Sequence, residues 1–229
     1  MKILAIGAHP DDIEIFMFGL LLTYANRGDI ISMVVATDGA AGSVLSNQNL
    51  KSIRTKESIT ALKNLGKPKF LDFPDGQLSN NYSIISSLNK IIKNDKPDLI
   101  ITHAPEDYHP DHRALSNYVM TAAGFFCPVI FCETLMGVNF IPEFYIDITP
   151  VFNQKKEAIL AHKSQCPDKF LEAVVLMNRY RSAQCNSSNA NYAEVYRHQK
   201  TFPFADIRDL LPTAPKISEY YKNNEKSFI

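Results

Sequence analysis

The 229-residue sequence has no tryptophan, only four cysteines and no surplus of either charge, since 24 Lys and Arg balance 24 Asp and Glu. Each shortage excludes a class of protein. Cys127, Cys132, Cys166 and Cys185 show no Cys-x-x-Cys spacing, so they read as incidental thiols rather than a metal cluster or a disulfide framework. Without a basic excess there is no electrostatic footprint for nucleic acid or an anionic membrane. No apolar run approaches the roughly 18 residues that span a bilayer, and the stretch from Ile13 to Leu22 is interrupted by Glu14. The short apolar start is too brief for a signal peptide, so a cytoplasmic location is expected. Apolar residues at 45% and charged residues at 21% are ordinary for a globular chain. The length suits one domain over 1–229, with 1–128 as the core and 129–229 completing the sheet and pocket.

Runs rich in Ile, Val and Leu alternate with longer amphipathic stretches, the pattern of βα units around a mostly parallel sheet. The predicted fold is α/β, a Rossmann-like three-layer sandwich. Strands are predicted at Lys2–Ala8, Ile30–Thr37, Lys69–Phe73 and Asp98–His103, then shorter ones at Ile130–Leu135 and Phe144–Ile148. Helices are predicted over Ile13–Arg27, about Leu50–Leu65, Ser83–Asn94, Pro150–His162 and Lys169–Arg181. From Pro203 the proline-punctuated tail reads as surface loop. Polar clusters follow the first four strands, and the carboxyl ends of strands are where open α/β sheets collect ligands.

The first cluster is Ala8-His9-Pro10-Asp11-Asp12. Pro10 stiffens the turn, and the acidic side chains stand at a helix start that favours negative charge. Alone, this segment reads equally well as a helix cap. The second cluster, His109-Pro110-Asp111-His112, repeats the three-residue spacing of His9 and Asp12 at another strand end of the same sheet. Three N/O ligands with an open position describe a catalytic metal site, zinc or another divalent ion. Such an ion acidifies water, and a neighbouring carboxylate can take its proton. Spacing leaves open which of His9, Asp11, Asp12, His109 and His112 bind the ion.

Read together, several segments resemble the LmbE/PIG-L family of zinc-dependent N-deacetylases. They are Ala8-His9-Pro10-Asp11-Asp12 with Glu14, Thr37-Asp38-Gly39 with Gly42-Ser43, Arg54 with Glu57, Pro74-Asp75-Gly76, and His109-Pro110-Asp111-His112-Arg113. Two later segments, His162-Lys163-Ser164-Gln165 and Tyr192-Ala193-Glu194, extend the likeness over most of the chain. The resemblance implies that His9, Asp12 and His112 hold zinc and that Asp11 is the general base. It further implies that His109 serves the oxyanion or the departing amine and that Asp111 orients a neighbouring His. Arg54 looks like a substrate-contacting arginine, with Asp38 and His162 as further substrate-side candidates. The implied substrate is a small GlcNAc-type amino sugar, cleaved to acetate and amine. Another acyl or thiol-sugar conjugate would use the same residues, and a non-catalytic sugar-binding module would keep the same fold. A homo-oligomer is compatible with all three.

The sequence departs from the family at Phe16-Met17-Phe18-Gly19, where small residues are common. Both phenylalanines read as core, with a narrowed or stacking pocket as the alternative. His103, at a strand end, reads as structural, and His198 as a surface residue of a helix. Tyr180, Arg181, Tyr192 and Glu194 read as pocket lining or, equally, as packing and surface pairing.

Overall fold

Side chains along a strand alternate between faces, and in the computed structural model the first strand uses both faces for hydrocarbon. The structure describes residues 1–42, 49–185 and 191–216. In β1 (Lys2–Gly7), Ile3 and Ala5 enter one core while Leu4 and Ile6 enter the other. Helices α1 (Asp12–Phe16) and α2 (Phe18–Asn26) lie on the first face. Strand β2 (Ile30–Thr37) runs parallel to β1, with Lys2 opposite Ile30. Then come α3 (Leu50–Ala61), β3 (Lys69–Phe73), α4 (Ile84–Asp95), β4 (Leu99–Thr102), α5 (Pro110–Ala123) and β5 (Val129–Cys132). Strand β6 (Phe144–Asp147), α6 (Phe152–Leu160), α7 (Pro167–Gln184) and β7 (Ala193–His198) complete the described chain.

The seven strands take the order β3-β2-β1-β4-β5-β7-β6, parallel up to β5, with β7 antiparallel to both of its neighbours. Apolar residues of α4 and α5 fill the face opposite that of α1, α2 and α6, which gives the three layers. The strand order reverses between β1 and β4, and that crevice is where such sheets bind ligands. Among the described residues no helix is long and apolar enough to cross a membrane.

The helix expected over Ile13–Arg27 is two helices, broken at Met17, whose φ is −130°. The break is held by residues distant in sequence. Glu194 accepts from the backbone N–H groups of Gly19 (2.9 Å) and Leu20 (2.8 Å), satisfying orphan donors at the start of α2. Gly19 has no room for a side chain, since a Cβ would stand 2.6 Å from Ile148 and 2.8 Å from Glu194 Oε1. Lys155 Nζ donates to Glu194 at 2.6 Å, and both side chains are buried. Lys155→Met leaves that carboxylate without a counter-charge and is expected to cost about 3–5 kcal/mol. A thermal melt checks this, and a Tm within about 2 °C of wild type contradicts it, given roughly 2–4 °C per kcal/mol at this chain length.

The segment after residue 190 yields the largest revision. His198 is not on a surface helix: it ends β7 and is 5% exposed, because Ala193–His198 pairs with both β5 and β6.

Candidate metal centre

The turn after β1 brings the first cluster together. Asp12 folds back so that its Oδ2 accepts from the His9 backbone N–H at 2.7 Å. Asp11 sits between them at φ +149°, a backbone region that costs a non-glycine residue about 1–3 kcal/mol and recurs at functional sites. Gly39, at φ +64°, lets the loop after β2 close on this turn, where a Cβ would stand 2.8 Å from Pro10. From across the crevice, β4 ends before His103, and α5 begins at Pro110 with His109 as its N-cap. His109 Nδ1 accepts from the Asp111 N–H at 3.2 Å, so a neutral His109 carries its proton on Nε2.

Donor atoms of three residues converge here, with the two histidines each nearest a different oxygen of Asp12. His9 Nδ1 lies 3.2 Å from His112 Nε2, His112 Nε2 lies 3.3 Å from Asp12 Oδ1, and His9 Nδ1 lies 3.4 Å from Asp12 Oδ2. Ligands about 2.1 Å from a tetrahedral ion stand about 3.4 Å apart, so the trio fits a divalent cation. The far nitrogens meet carboxylates, as metal-bound histidines commonly do. His9 Nε2 is 3.1 Å from Asp75 Oδ1 and 3.4 Å from Asp111 Oδ2, and His112 Nδ1 is 3.1 Å from Asp107 Oδ1. Three overlapping trios each bring one ligand atom per residue within 4.8 Å of the others: His9 with His109 and His112, Asp12 with His103 and His112, and His9 with Asp75 and Asp111.

The electrostatics agree with a cation site. Burial works against charge on His9, yet Asp111, Asp12 and Asp75 hold it well above the usual range. Burial likewise lowers His112, but Asp12 and Asp107 raise it to about 9. Burial works against ionised Asp12, but His112 and His103 hold its carboxyl well below the usual range. Carboxylates that keep two buried imidazoles protonated would be compensated as well by a metal ion. Asp11 differs. Burial lifts its carboxyl to about 6, although Arg54 acts to lower it. Burial and then His9 and His112 lower His109.

The cleft over this cluster encloses about 270 Å³, and its wall includes Asp11, Asp75, Tyr108, His109, Phe16 and Phe170. A larger hollow of about 1040 Å³ beside β6 is lined by none of the clustered histidines, so chemistry selects the smaller one.

Arg54 is buried in the cleft wall, with Asp11 Oδ2 at 3.1 Å, the Pro10 carbonyl at 3.1 Å and the Gly39 carbonyl at 3.0 Å. Asp38 and His162 lie outside the cleft wall. Asp38 Oδ1 accepts from the Ala40 and Asp75 N–H groups, and His162 Nε2 is 2.8 Å from Glu14 Oε1 behind Asp11. Asp111 sits behind His9 and accepts from the Gly76 and Leu78 N–H groups. Ser43 lies outside the described residues. Both phenylalanines are buried in the core on the face of α1 and α2, and Phe16 in addition lines the cleft. Arg181 pairs with Glu133, Tyr192 stacks on Phe152 and Glu194 caps α2, so the packing alternative describes these three. Tyr180 is exposed on α7.

Asp107 escaped the sequence reading, and His103, read as structural, accepts from the Ala8 N–H at 3.1 Å and also stands inside the cluster. His103 is stacked on His112 with centroids 3.8 Å apart, and its Nε2 lies 3.1 Å from Asp12 Oδ2. Asp107 stands behind His112. Their position at the end of a strand already carrying a His-x-x-His pair was the signal available.

The fold and this centre define a class, the deacetylases built on an open α/β sheet. The chain belongs to the PIG-L family, described as GlcNAc-PI de-N-acetylase, which matches residues 4–123. It is 33% identical to the uncharacterized deacetylase YaiS of Escherichia coli over 174 residues, 71% of this chain and 90% of that one. It is 25% identical to the diacetylchitobiose deacetylase of Thermococcus kodakarensis over 193 residues, 75% of this chain and 72% of that one. The crystal structure of the 4-carboxy-2-hydroxymuconate hydratase of Pseudomonas putida superimposes with a TM-score of 0.78 at 19% identity, covering 90% of this chain and 99% of that one. The last likeness is one of fold, and it leaves the reaction to be argued from the site.

Proposed function

We propose that this enzyme is a metal-dependent hydrolase that removes the acetyl group from a neutral GlcNAc-type amino sugar. His9, Asp12 and His112 would hold the ion, zinc by the chemistry of the donor set. The observation that carries this is the convergence of two imidazole nitrogens and a carboxylate within 3.2–3.4 Å beside a second carboxylate, Asp11, whose Oδ2 faces Arg54 at 3.1 Å. The diacetylchitobiose activity in the name of the Thermococcus relative supports the sugar.

A divalent ion held by His9, Asp12 and His112 would supply Lewis-acid polarisation of an amide carbonyl and would acidify water towards a pKa of about 7. Arg54 occupies Asp11 Oδ2, which leaves Oδ1 to take the proton from attacking water. The Asp111 N–H fixes the ring of His109, so its Nε2–H can donate to the developing oxyanion. Water contributes the new C–O bond, the C–N bond breaks, and the amine leaves with a proton, giving acetate and the free amino sugar. Asp75, Asp111 and Asp107 keep the ligand rings oriented.

Arg54 is the one Lys or Arg lining the cleft among the described residues, and it is engaged by Asp11 and the loop carbonyls. A phosphorylated sugar would meet carboxylates with no side-chain cation free to offset them. The test is acetate release by the zinc-loaded protein from GlcNAc, diacetylchitobiose and GlcNAc-6-phosphate. Release from the neutral sugars, with the phosphate disfavoured at least about tenfold, is expected. Failure to release acetate from any of them refutes the reading.

A further inference from the structure

We infer that Phe16 closes the acyl end of the cleft and restricts the group cleaved from nitrogen to acetyl, an inference that rests on the deacetylase reading above. Phe16 follows Asp12 by four residues in α1, so the two share a helix face. Its ring stands edge-on to His112, with centroids 6.2 Å apart at 82°, and to His103 at 6.0 Å and 78°. Tyr108 also approaches His112, at 6.1 Å. The two aromatics differ in exposure: Phe16 is 7% exposed and Tyr108 57%. The cleft wall beside His112 thus has a buried hydrocarbon part at Phe16 and an exposed part at Tyr108.

An amide held over His9, Asp12 and His112 carries two unlike groups. The sugar is bulky and hydroxylated and suits the exposed part of the cleft wall, where Tyr108 stands. The acyl chain is small and has no polar atom beyond its carbonyl, which suits the buried phenyl face. Phe16 also has little freedom to retreat. Its carbonyl accepts from Tyr196 Oη at 3.3 Å, and the helix breaks at the next residue, where Glu194 caps α2. A wall fixed by such supports gives a sharp size limit.

Each methylene gained or lost in an apolar pocket changes kcat/KM by about 10–200-fold. The experiment compares wild type, Phe16→Ala and Phe16→Val, zinc-loaded, on N-acetyl-, N-propionyl- and N-butyrylglucosamine. Binding of free acetate and butyrate is measured alongside by calorimetry. Wild type is expected to favour acetyl over butyryl by at least about 100-fold. Both variants should narrow that ratio at least tenfold by gaining on the butyryl substrate, and should shift carboxylate binding towards butyrate. An unchanged acyl ratio in a folded variant overturns the inference, and Val decides if Ala fails to fold. If wild type cleaves none of the amides, the deacetylase reading falls, and the acetate-to-butyrate binding ratio still decides the role of Phe16.

Discussion

Asp11→Asn is expected to lower kcat by about 10²–10⁴-fold, the range contributed by a positioned general base, while zinc content and fold persist. The substitution keeps the shape and one carbonyl oxygen for Arg54, whose other contacts, the Pro10 and Gly39 carbonyls, remain. It removes only the proton acceptor. Stability should not suffer greatly, as the direction of the pKa shift indicates. In the metal-free protein the Asp11 carboxyl titrates at about 6 against an ordinary 3.8, with burial the largest cause. The folded state therefore holds its proton more tightly than the unfolded chain, and stability falls as pH rises through that window. An uncharged Asn escapes this loss. Single-turnover kinetics with metal analysis on the same samples provide the check, and a variant within tenfold of wild type would remove Asp11 from the proton-transfer step.

Much of this centre was legible because its groups lie at strand ends. A buried parallel strand is a run of Ile, Val and Leu, so its carboxyl end can be read to within a residue or two, and whatever polar residues follow it face the crevice. That reasoning brought His9, Asp12, His109 and His112 to one place, and the structure has them there. It does not reveal which side of a turn a residue takes. His103 follows β4 just as His9 follows β1, but its contact with Asp12 depends on the spacing between parallel strands, not on any local motif.

The break at Met17 was illegible for a similar reason. Ile13–Arg27 is apolar enough to read as one helix, and what divides it is a carboxylate 175 residues away from Gly19. Strand β7 was missed because Ala193–His198 mixes Glu, Tyr, Arg and His with two apolar residues. Pairing with β5 and β6 on both sides, rather than composition, makes it a strand.

Removing the metal is expected to abolish acetate release and to lower Tm, with both restored by zinc. At a free ion concentration about 100 times Kd, binding contributes about 2.7 kcal/mol, which at roughly 2–4 °C per kcal/mol amounts to about 5–11 °C. Single substitutions then separate the overlapping trios. If His9, Asp12 and His112 are the ligands, alanine at any of them should weaken zinc binding by more than about 100-fold, beyond the loss expected for a supporting partner. His109→Ala should keep the ion and lose turnover, because its ring faces the cleft with Nδ1 held by the Asp111 N–H. His103→Ala should weaken binding less than the ligand variants, since Asp12 Oδ2 retains the His9 N–H at 2.7 Å. Zinc titration against a competing chelator makes the comparison. If His109→Ala released the ion as readily as His112→Ala, the ligand set would become His9, His109 and His112, and no histidine would remain to serve the oxyanion.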